Sequence, residues 1–409
     1  MRGINSGTVD LIYLDPPFNS NANYAAPIGS AAAGAEFKDT WGLSDIDQHW
    51  CQNIKNDHPG LHTLLLAAKL THGDSMMSYL IYMAPRLTEM RRLLKNTGSI
   101  YLHCDPTASH YLKLMMDTIC GAENFLNEII WFYEDSPGGR NSKWFPKKHD
   151  TIFLYAKSKG DHCFNDADIR VPIKDASINR YKSPRTIGGK TYLGGASAQT
   201  GKIPEDVWKI PVVKKHKGSK ESTRYPTQKP VALLKRVIGA STPADGIVLD
   251  PFCGCATTCI AAEGLSREWV GIDISPKAAD LVKLRMAKEM PLLTFKGIYR
   301  KDIPPRTDLG KLPQYNSQEN KNKLYGIQSG NCNGCSNHFL KQHLTVDHII
   351  PKTQGGTDHI SNLQLLCAHC NSVKGQRPHE YLTSRLEQLG FINAAAKKIL
   401  EQQDDQQQN

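Results

Sequence analysis

The chain has no apolar run near the ~20 residues a membrane helix needs, which excludes a helical span and a membrane partner. It also lacks, at its N-terminus, the basic-then-apolar pattern of an export signal, so a cytoplasmic location is expected. In that compartment the eleven cysteines are not expected to pair as disulfides. There is no internal repeat, so the fold is not an array of copies. Acidic residues are scarce in one place. Residues 131–229 hold 20 Lys and Arg against 10 Asp and Glu, which accounts for the whole formal charge of +10 and leaves the rest balanced. Such a basic block favours a polyanionic partner, although a plain solvated surface has the same composition.

The 409 residues leave room for two or three domains with more than one core. Residues 1–130 read as α/β. Strands are predicted over Val9–Leu14 and Ser99–His103, and helices over Ser75–Lys95 and Ala108–Cys120. Over 131–225 Gly, Pro, Lys and Ser become frequent and aromatics scatter, which suggests short strands and long loops. The α/β pattern returns over 226–290. It has a helix over Pro230–Ala240, a strand Ile247–Leu249, a helix Thr257–Glu263, a strand Trp269–Ile272 and a helix from Pro276. Residues 291–325 are aperiodic and read as a linker. A Cys/His-rich unit occupies 326–378, and 379–409 form a helical, then disordered, tail.

The stretch "GIVLDPFCGCATT" (246–258) runs from an apolar strand through a Gly-bearing turn into a helix. Ligands of open α/β sheets sit at such turns, and Gly254 would let backbone approach one. About twenty residues on, Asp273 ends another apolar strand, where an acid can accept hydrogen bonds from ribose hydroxyls. The competing reading is a simple tight turn. In "YPTQKPVALLKRVI", Lys229 stands at a helix start whose first position is Pro230. It could bind a carboxylate there with help from the helix dipole, although a lone lysine is usually just solvated.

Three motifs together resemble the amino-group DNA methyltransferases: Asp15-Pro16-Pro17-Phe18, Thr227-Gln228-Lys229-Pro230 and Asp250-Pro251-Phe252-Cys253-Gly254. Their order is similar to the β class, and the resemblance covers roughly residues 8–290. It implies a doubly wound Rossmann-like α/β sheet, S-adenosylmethionine as cofactor, and methyl transfer to the amino group of an adenine or cytosine flipped out of duplex DNA. By position, the resemblance puts Asp250, Phe252 and Gly254 in the cofactor loop. It puts Thr227 and Lys229 at the methionine carboxylate and Asp273 at the ribose. The second glycine of the family's FxGxG motif is Ala256 here. Family members carry a short "GD" element ahead of the first strand. This chain begins after it, so the cofactor pocket is expected to lack that wall unless the natural start lies upstream.

The DPPF corner suits this chemistry. An exocyclic amino nitrogen is a poor nucleophile, because its lone pair is delocalised into the ring. Asp15 can accept one of its hydrogens. The Pro16 carbonyl, held by the fixed φ angles of Pro16 and Pro17, can accept the other. Phe18 offers a face for the flipped base. The bland reading of Asp-Pro-Pro-aromatic is a turn after a strand. The basic segment 131–225 stands where the resemblance implies a target-recognition insert, with lysines and arginines suited to phosphates.

"CNGC" (332–335) and "CAHC" (367–370) are two C-x-x-C knuckles, so Cys332, Cys335, Cys367 and Cys370 suit one structural Zn²⁺. The alternative is four reduced thiols. Cys51, Cys104, Cys120, Cys163, Cys253, Cys255 and Cys259 show no ligand spacing and read as small apolar residues. Between and after the knuckles, Asp347-His348, Asn362 and Asn371 resemble the HNH (ββα-metal) nucleases. The resemblance implies that Asp347 and Asn371 hold a Mg²⁺ on the scissile phosphate and that His348 activates water. Asn362 would hold the loop and orient the histidine, and Lys374 would approach a phosphate. The alternative is a zinc-stapled DNA-binding module that does not cut.

The combined expectation is a site-specific, adenine-specific DNA methyltransferase fused to an HNH endonuclease, in a restriction–modification setting. Two alternatives are a nuclease or DNA-binding protein whose methyltransferase half only targets, and a cytosine-N4 enzyme with a non-cleaving HNH module. Duplex DNA is the expected partner; a homodimer and a restriction-system partner stay open.

Overall fold

In this computed structural model the described residues are 1–19, 22–25, 36–41, 58–133, 143, 145–173, 185–187, 190–192, 201–213, 221–289, 297–300, 303–304 and 306–391. The stretch 134–142, the basic run at 214–220, Cys51 and the expected disordered tail lie wholly or mostly outside them. Among the described residues, no helix is long and apolar enough to cross a membrane. The chain forms two compact units.

The first unit comprises Met1, Ser6–Asp45 and Thr63–Tyr299. It begins with β1 (Val9–Leu14), buried at every position. Asp10 is tolerated inside this strand because Lys95 Nζ donates to its Oδ2 at 2.7 Å and Ile247 N–H donates to the same oxygen at 2.9 Å. A small antiparallel pair, β2 (Ala22–Ala25) and β3 (Glu36–Asp39), follows. Helix α1 (Pro59–Leu93), which belongs to this unit from Thr63 onward, is longer than the predicted 75–95 helix and is interrupted at Gly73, with φ 78° and ψ −172°. That backbone conformation is open to glycine and strained for other residues, so the predicted start sits just past the break. Next come β4 (Leu94–Cys104), α2 (Ser109–Cys120), β5 (Phe125–Phe132), β6 (His149–Ala156) and the short α3 (Asp166–Ile169). An isolated pair β7 (Arg185–Ile187) and β8 (Lys190–Tyr192) precedes β9 (Val207–Lys209). The unit continues through α4 (Val231–Ser241), β10 (Ile247–Asp250), α5 (Thr257–Glu263), β11 (Glu268–Gly271) and α6 (Pro276–Glu289).

Seven strands form one sheet in the order β11-β10-β1-β4-β6-β5-β9. Strands β11, β10, β1 and β4 are mutually parallel, as a doubly wound α/β sheet requires. Strand β6 runs antiparallel to both β4 and β5, and β9 closes the edge parallel to β5. Part of the segment 131–225 is therefore structural: β6 lies inside the sheet and β9 at its edge. Trp131 locks this region by donating from Nε1 to the Ile210 carbonyl at 2.7 Å, in a core shared with Tyr13, Ile152 and Trp208. The register Leu11↔Val248 and Ile12↔Leu249 puts the carboxyl ends of β1 and β10 side by side. From there the chain leaves β1 toward β4 and leaves β10 toward β11. This is the topological switch point where such sheets open a crevice.

The second unit comprises Arg2–Asn5, Ile46–His62 and Arg300–Asn409. Inside the expected linker the structure starts α7 (Gln318–Ile327), capped by the Ser317 hydroxyl, which accepts from Asn320 N–H. Strands β12 (Leu344–His348) and β13 (Leu363–Cys367) pair antiparallel, Leu344↔Cys367 through His348↔Leu363, and α8 (Ala368–Lys374) follows directly. Helix α9 (His379–Gln388) completes a small core with Leu324, Leu344, Leu365, Leu382 and Leu386.

Candidate active sites

Beyond the carboxyl ends of β1 and β10 lies a cavity of about 900 Å³, at the upper end of the usual range for small-molecule pockets. Asp15, Pro16, Pro17 and Phe18 form one side of it and Thr227 and Lys229 another. The loop after β10 contributes Asp250, Phe252 and Gly254, and Asp273 comes from just after β11. The ten residues singled out in the first unit thus meet in one place.

At the DPPF corner Lys229 Nζ donates to Asp15 Oδ2 at 2.7 Å, with both side chains largely buried. The same ammonium lies 5.1 Å from the centre of the Phe18 ring. The resemblance puts Lys229 at a cofactor carboxylate; the structure pairs it with Asp15. The other carboxylate oxygen, Asp15 Oδ1, is buried and accepts no hydrogen bond. An acceptor left so is costly unless a ligand completes it.

Behind the corner lies a residue the sequence reading missed. His103, at the end of β4, is fully buried. Its Nε2 faces Asp150 Oδ2 at 3.0 Å, its Nδ1 faces the Tyr13 hydroxyl at 2.8 Å, and Phe18 stacks on its ring with centres 5.8 Å apart. Burial works against a charged Asp150, but bonds from His103 and Tyr133, with the nearby Lys229 charge, outweigh it and hold the carboxyl below its usual value. The available signal was a histidine ending an otherwise apolar strand, "SIYLHC", opposite an acid opening another, "HDTIFLYA".

In the loop after β10, Asp250 Oδ1 accepts the Phe252 N–H at 3.0 Å and Oδ2 accepts the Thr258 hydroxyl. Complete burial nevertheless pushes its pKa up to about 7. Gly254 has φ 45°, and a Cβ there would lie 3.2 Å from the Tyr225 ring. Its N–H donates to Asp273 Oδ2 at 2.8 Å, and Ser275 N–H donates to Oδ1 at 2.7 Å. Asp273 therefore shapes the loop while keeping lone pairs toward the cavity. Ala256 holds the left-handed conformation, φ 63° and ψ 30°, at the start of α5. A second unassigned group, Trp41, Tyr82 and Arg86, lines the cavity. Trp41 packs on Tyr82 with centres 4.5 Å apart, and the Arg86 guanidinium lies 3.5 Å from the same ring centre.

In the second unit the Sγ atoms of Cys332, Cys335, Cys367 and Cys370 all lie within 4.8 Å of one another. A tetrahedral ion with metal–sulfur bonds of about 2.3 Å needs sulfurs ~3.8 Å apart, so small adjustments suffice. Backbone N–H groups of Gly334 and Cys367 point at Cys332 Sγ, at 3.4 and 3.2 Å, as donors that favour thiolates. The hydrogen bond from Cys370 draws the Cys332 thiol down to about 4 and pushes Cys370 far up. The cluster carries one thiolate readily and needs a cation to carry four. Of the other cysteines, Cys104, Cys120, Cys253, Cys255 and Cys259 are buried and Cys163 is half-buried.

Asp347 and His348 end β12, Asn362 precedes β13, and Asn371 lies on α8. Asn362 pins the loop: it accepts from Ile350 N–H at 3.0 Å and donates to the Ile350 and Thr357 carbonyls at 3.0 and 2.9 Å. The histidine is oriented instead by Asp358, whose Oδ1 lies 2.8 Å from His348 Nε2 while Lys352 holds Oδ2. Asp358 stands in "GGTDHISN", where the sequence reading assigned only Asn362. Asp347 Oδ2 is met by the buried Lys374 at 2.9 Å and by Gln364 at 3.1 Å.

Residues 9–284 match the family described as DNA methylase, and residues 332–377 match that described as HNH endonuclease. The chain is 30% identical over 289 residues to the type II methyltransferase M.HpaI of Haemophilus parainfluenzae, covering 71% of each. It is 26% identical over 310 residues to the type II methyltransferase M2.MboI of Moraxella bovis, covering 74% of this chain and 90% of that one. It is also 26% identical over 275 residues to the DNA adenine methyltransferase YhdJ of Escherichia coli (strain K12), covering 67% of this chain and 75% of that protein.

Proposed function

Because the chain belongs to the DNA methylase family and carries an HNH endonuclease domain, we propose that its first unit methylates the exocyclic amino group of adenine in duplex DNA, with S-adenosylmethionine as methyl donor. The observation that carries this reading is the buried, unpartnered Asp15 Oδ1 in a proline-fixed corner of the cavity. An amino group is the donor that completes it. Bound S-adenosylmethionine would supply an electrophilic methyl group. The residues supply the rest. Asp15 Oδ1 and the Pro16 carbonyl accept the two amino hydrogens, which localises the nitrogen lone pair and stabilises the positive charge that grows there. Lys229 holds the Asp15 carboxylate in place by its other oxygen. Phe18 provides a stacking face for the flipped base, and the Gly254 loop with Asp273 lines the remaining volume for the cofactor. Adenine is favoured over cytosine by the DPPF corner and by the similarity to the DNA adenine methyltransferase of Escherichia coli.

In the second unit the four cysteines would hold a structural Zn²⁺. His348, oriented by Asp358, would activate water for phosphodiester cleavage. Asp347 and Asn371 would be the protein ligands of a Mg²⁺ completed by waters and the substrate phosphate, with Asp347 exchanging its pairing to Lys374 for the ion. A role in restriction–modification is supported by the type II relatives.

Sequencing of duplex DNA incubated with the protein and S-adenosylmethionine, read for modified bases, tests the methyltransferase reading. The expected result is N6-methyladenine confined to one short sequence context. N4-methylcytosine would reverse the base assignment, and unmodified DNA would remove the activity.

A further inference from the structure

Methylation of an amino nitrogen leaves one proton too many on the product. The new C–N bond makes the nitrogen cationic, and one N–H bond must break with its electron pair returning to nitrogen. The nearest acceptor is Asp15, but a proton left there would be poorly placed. Lys229 Nζ pairs with Asp15 Oδ2 at 2.7 Å and is itself buried. A neutral Asp15 would strand that ammonium without its counter-charge.

The structure holds a better resting place. We propose that His103 takes up this proton at Nδ1 by way of Asp15 Oδ1, with Asp150 holding the resulting imidazolium. His103 Nδ1 lies 4.0 Å from Asp15 Oδ1, whose position is otherwise unpartnered. On the far side of the ring Nε2 faces Asp150 Oδ2 at 3.0 Å. A carboxylate only accepts, so Nε2 carries the hydrogen and Nδ1 presents its lone pair, onto which the Tyr13 hydroxyl donates at 2.8 Å. For Nδ1 to take the proton, the Tyr13 hydroxyl first turns its hydrogen off the Nδ1 lone pair and Asp15 Oδ1 closes from 4.0 Å to hydrogen-bond distance; the hydroxyl oxygen is then left as an acceptor. Burial and the surrounding carboxylates Asp15, Asp250 and Asp150 keep Tyr13 a neutral phenol throughout. An imidazolium at this point lies between two carboxylates, Asp15 and Asp150, while Lys229 keeps its own pairing.

The steps balance. The N–H bond of the methylated amino group breaks as O–H forms on Asp15. That O–H breaks as N–H forms on His103 Nδ1, and the proton leaves to solvent once the product has gone. The groups facing His103 are Tyr13 and Asp15 on and just after β1, Asp150 on β6, Trp131 on β5 and the Phe18 ring. Tyr133 reaches it through Asp150, and Lys229 through Asp15.

This inference rests on the methyltransferase reading of Asp15, and the experiment separates the two. Single-turnover methyl transfer is followed across pH for the wild type, His103→Gln and Asp150→Asn, with cofactor and DNA affinities measured alongside. Asp150→Asn keeps the imidazole and nearly the same shape, so it decides the matter if His103→Gln fails to fold. Each variant is expected to slow transfer by about 100-fold, with both dissociation constants within about threefold of wild type. An imidazole that already carries a proton cannot take another, so any fall of the wild-type rate toward acid pH is expected to be absent from His103→Gln. Transfer within about threefold of wild type in both variants, or a wild-type pH profile in His103→Gln, overturns the role of His103 and leaves the methyltransferase standing. Absence of transfer in the wild type removes both.

Discussion

Asp15 has a lysine on one oxygen and an empty, buried position at the other. The sequence told the first half of that story. The strand, the two prolines and the aromatic ring were legible from "LIYLDPPF", because a period of burial and two fixed φ angles are local properties. Lys229 was visible as a cation at a helix start, but its partner, 214 positions away, was not. His103 and Asp150 escaped for the same reason: a buried histidine looks like any strand residue until the sheet brings an acid opposite it. Ala256 runs the other way. Its left-handed φ of 63° explains why the family's motif has glycine there. Here the strain of an L-residue is offset by a methyl group buried among Cys259, Ile260 and Met286. Asp250 yields a pH prediction. Burial raises its pKa to about 7 in the fold against ~3.9 unfolded, so the native state binds the extra proton and its contribution to stability is full below pH ~4 and lost as pH rises toward 7. Asp250→Asn removes this titration. Denaturant unfolding is expected to show the variant gaining on wild type between pH ~4 and ~7, by at most ~4 kcal/mol; a constant gap would contradict it. In the second unit, His348→Ala is expected to abolish Mg²⁺-dependent nicking of plasmid DNA while methyl transfer continues, and equal nicking by both proteins would exclude the histidine as base.

Among the elements, α1 shows where periodicity stops being enough. Its second half was predicted because apolar residues recur at helical spacing from Ser75 onward, whereas the first half, over 59–72, was not predicted. Gly73 separates the halves at φ 78°. A Cβ at Gly73 would meet nothing within 4 Å, so a substitution there probes backbone strain alone. Gly73→Ala is expected to cost about 1–3 kcal/mol, seen as a lower Tm; an unchanged Tm would mean the helix straightens through this point at no cost. Strand β6 was missed for a different reason. "HDTIFLYA" is a respectable apolar strand, but it stands among Gly, Pro and Lys, and composition over the wider segment masked it. Its antiparallel pairing with β4 is long-range and has no local signature. The knuckles of the second unit were the most legible elements, because ligand spacing is written directly in the chain.

At the scale of the whole molecule, the two units rest on different physics. The first has a seven-stranded sheet with a large apolar core. The second has a small core packed around a cysteine cluster, which a bound metal would tie together. Chelation of zinc is therefore expected to remove hydrogen-exchange protection from β12, β13 and α8 while the first unit still binds S-adenosylmethionine. Full protection of those elements in metal-free protein would contradict a structural ion. The central claim, that the DPPF corner transfers a methyl group, has one direct measurement. Duplex DNA is incubated with S-adenosylmethionine labelled in its methyl group and with either the wild type or Asp15→Ala, each first shown to be folded, and the DNA is hydrolysed to nucleosides. The account predicts label in N6-methyladenine from the wild type and none from Asp15→Ala; no label from the wild type, or label persisting in the variant, would contradict it.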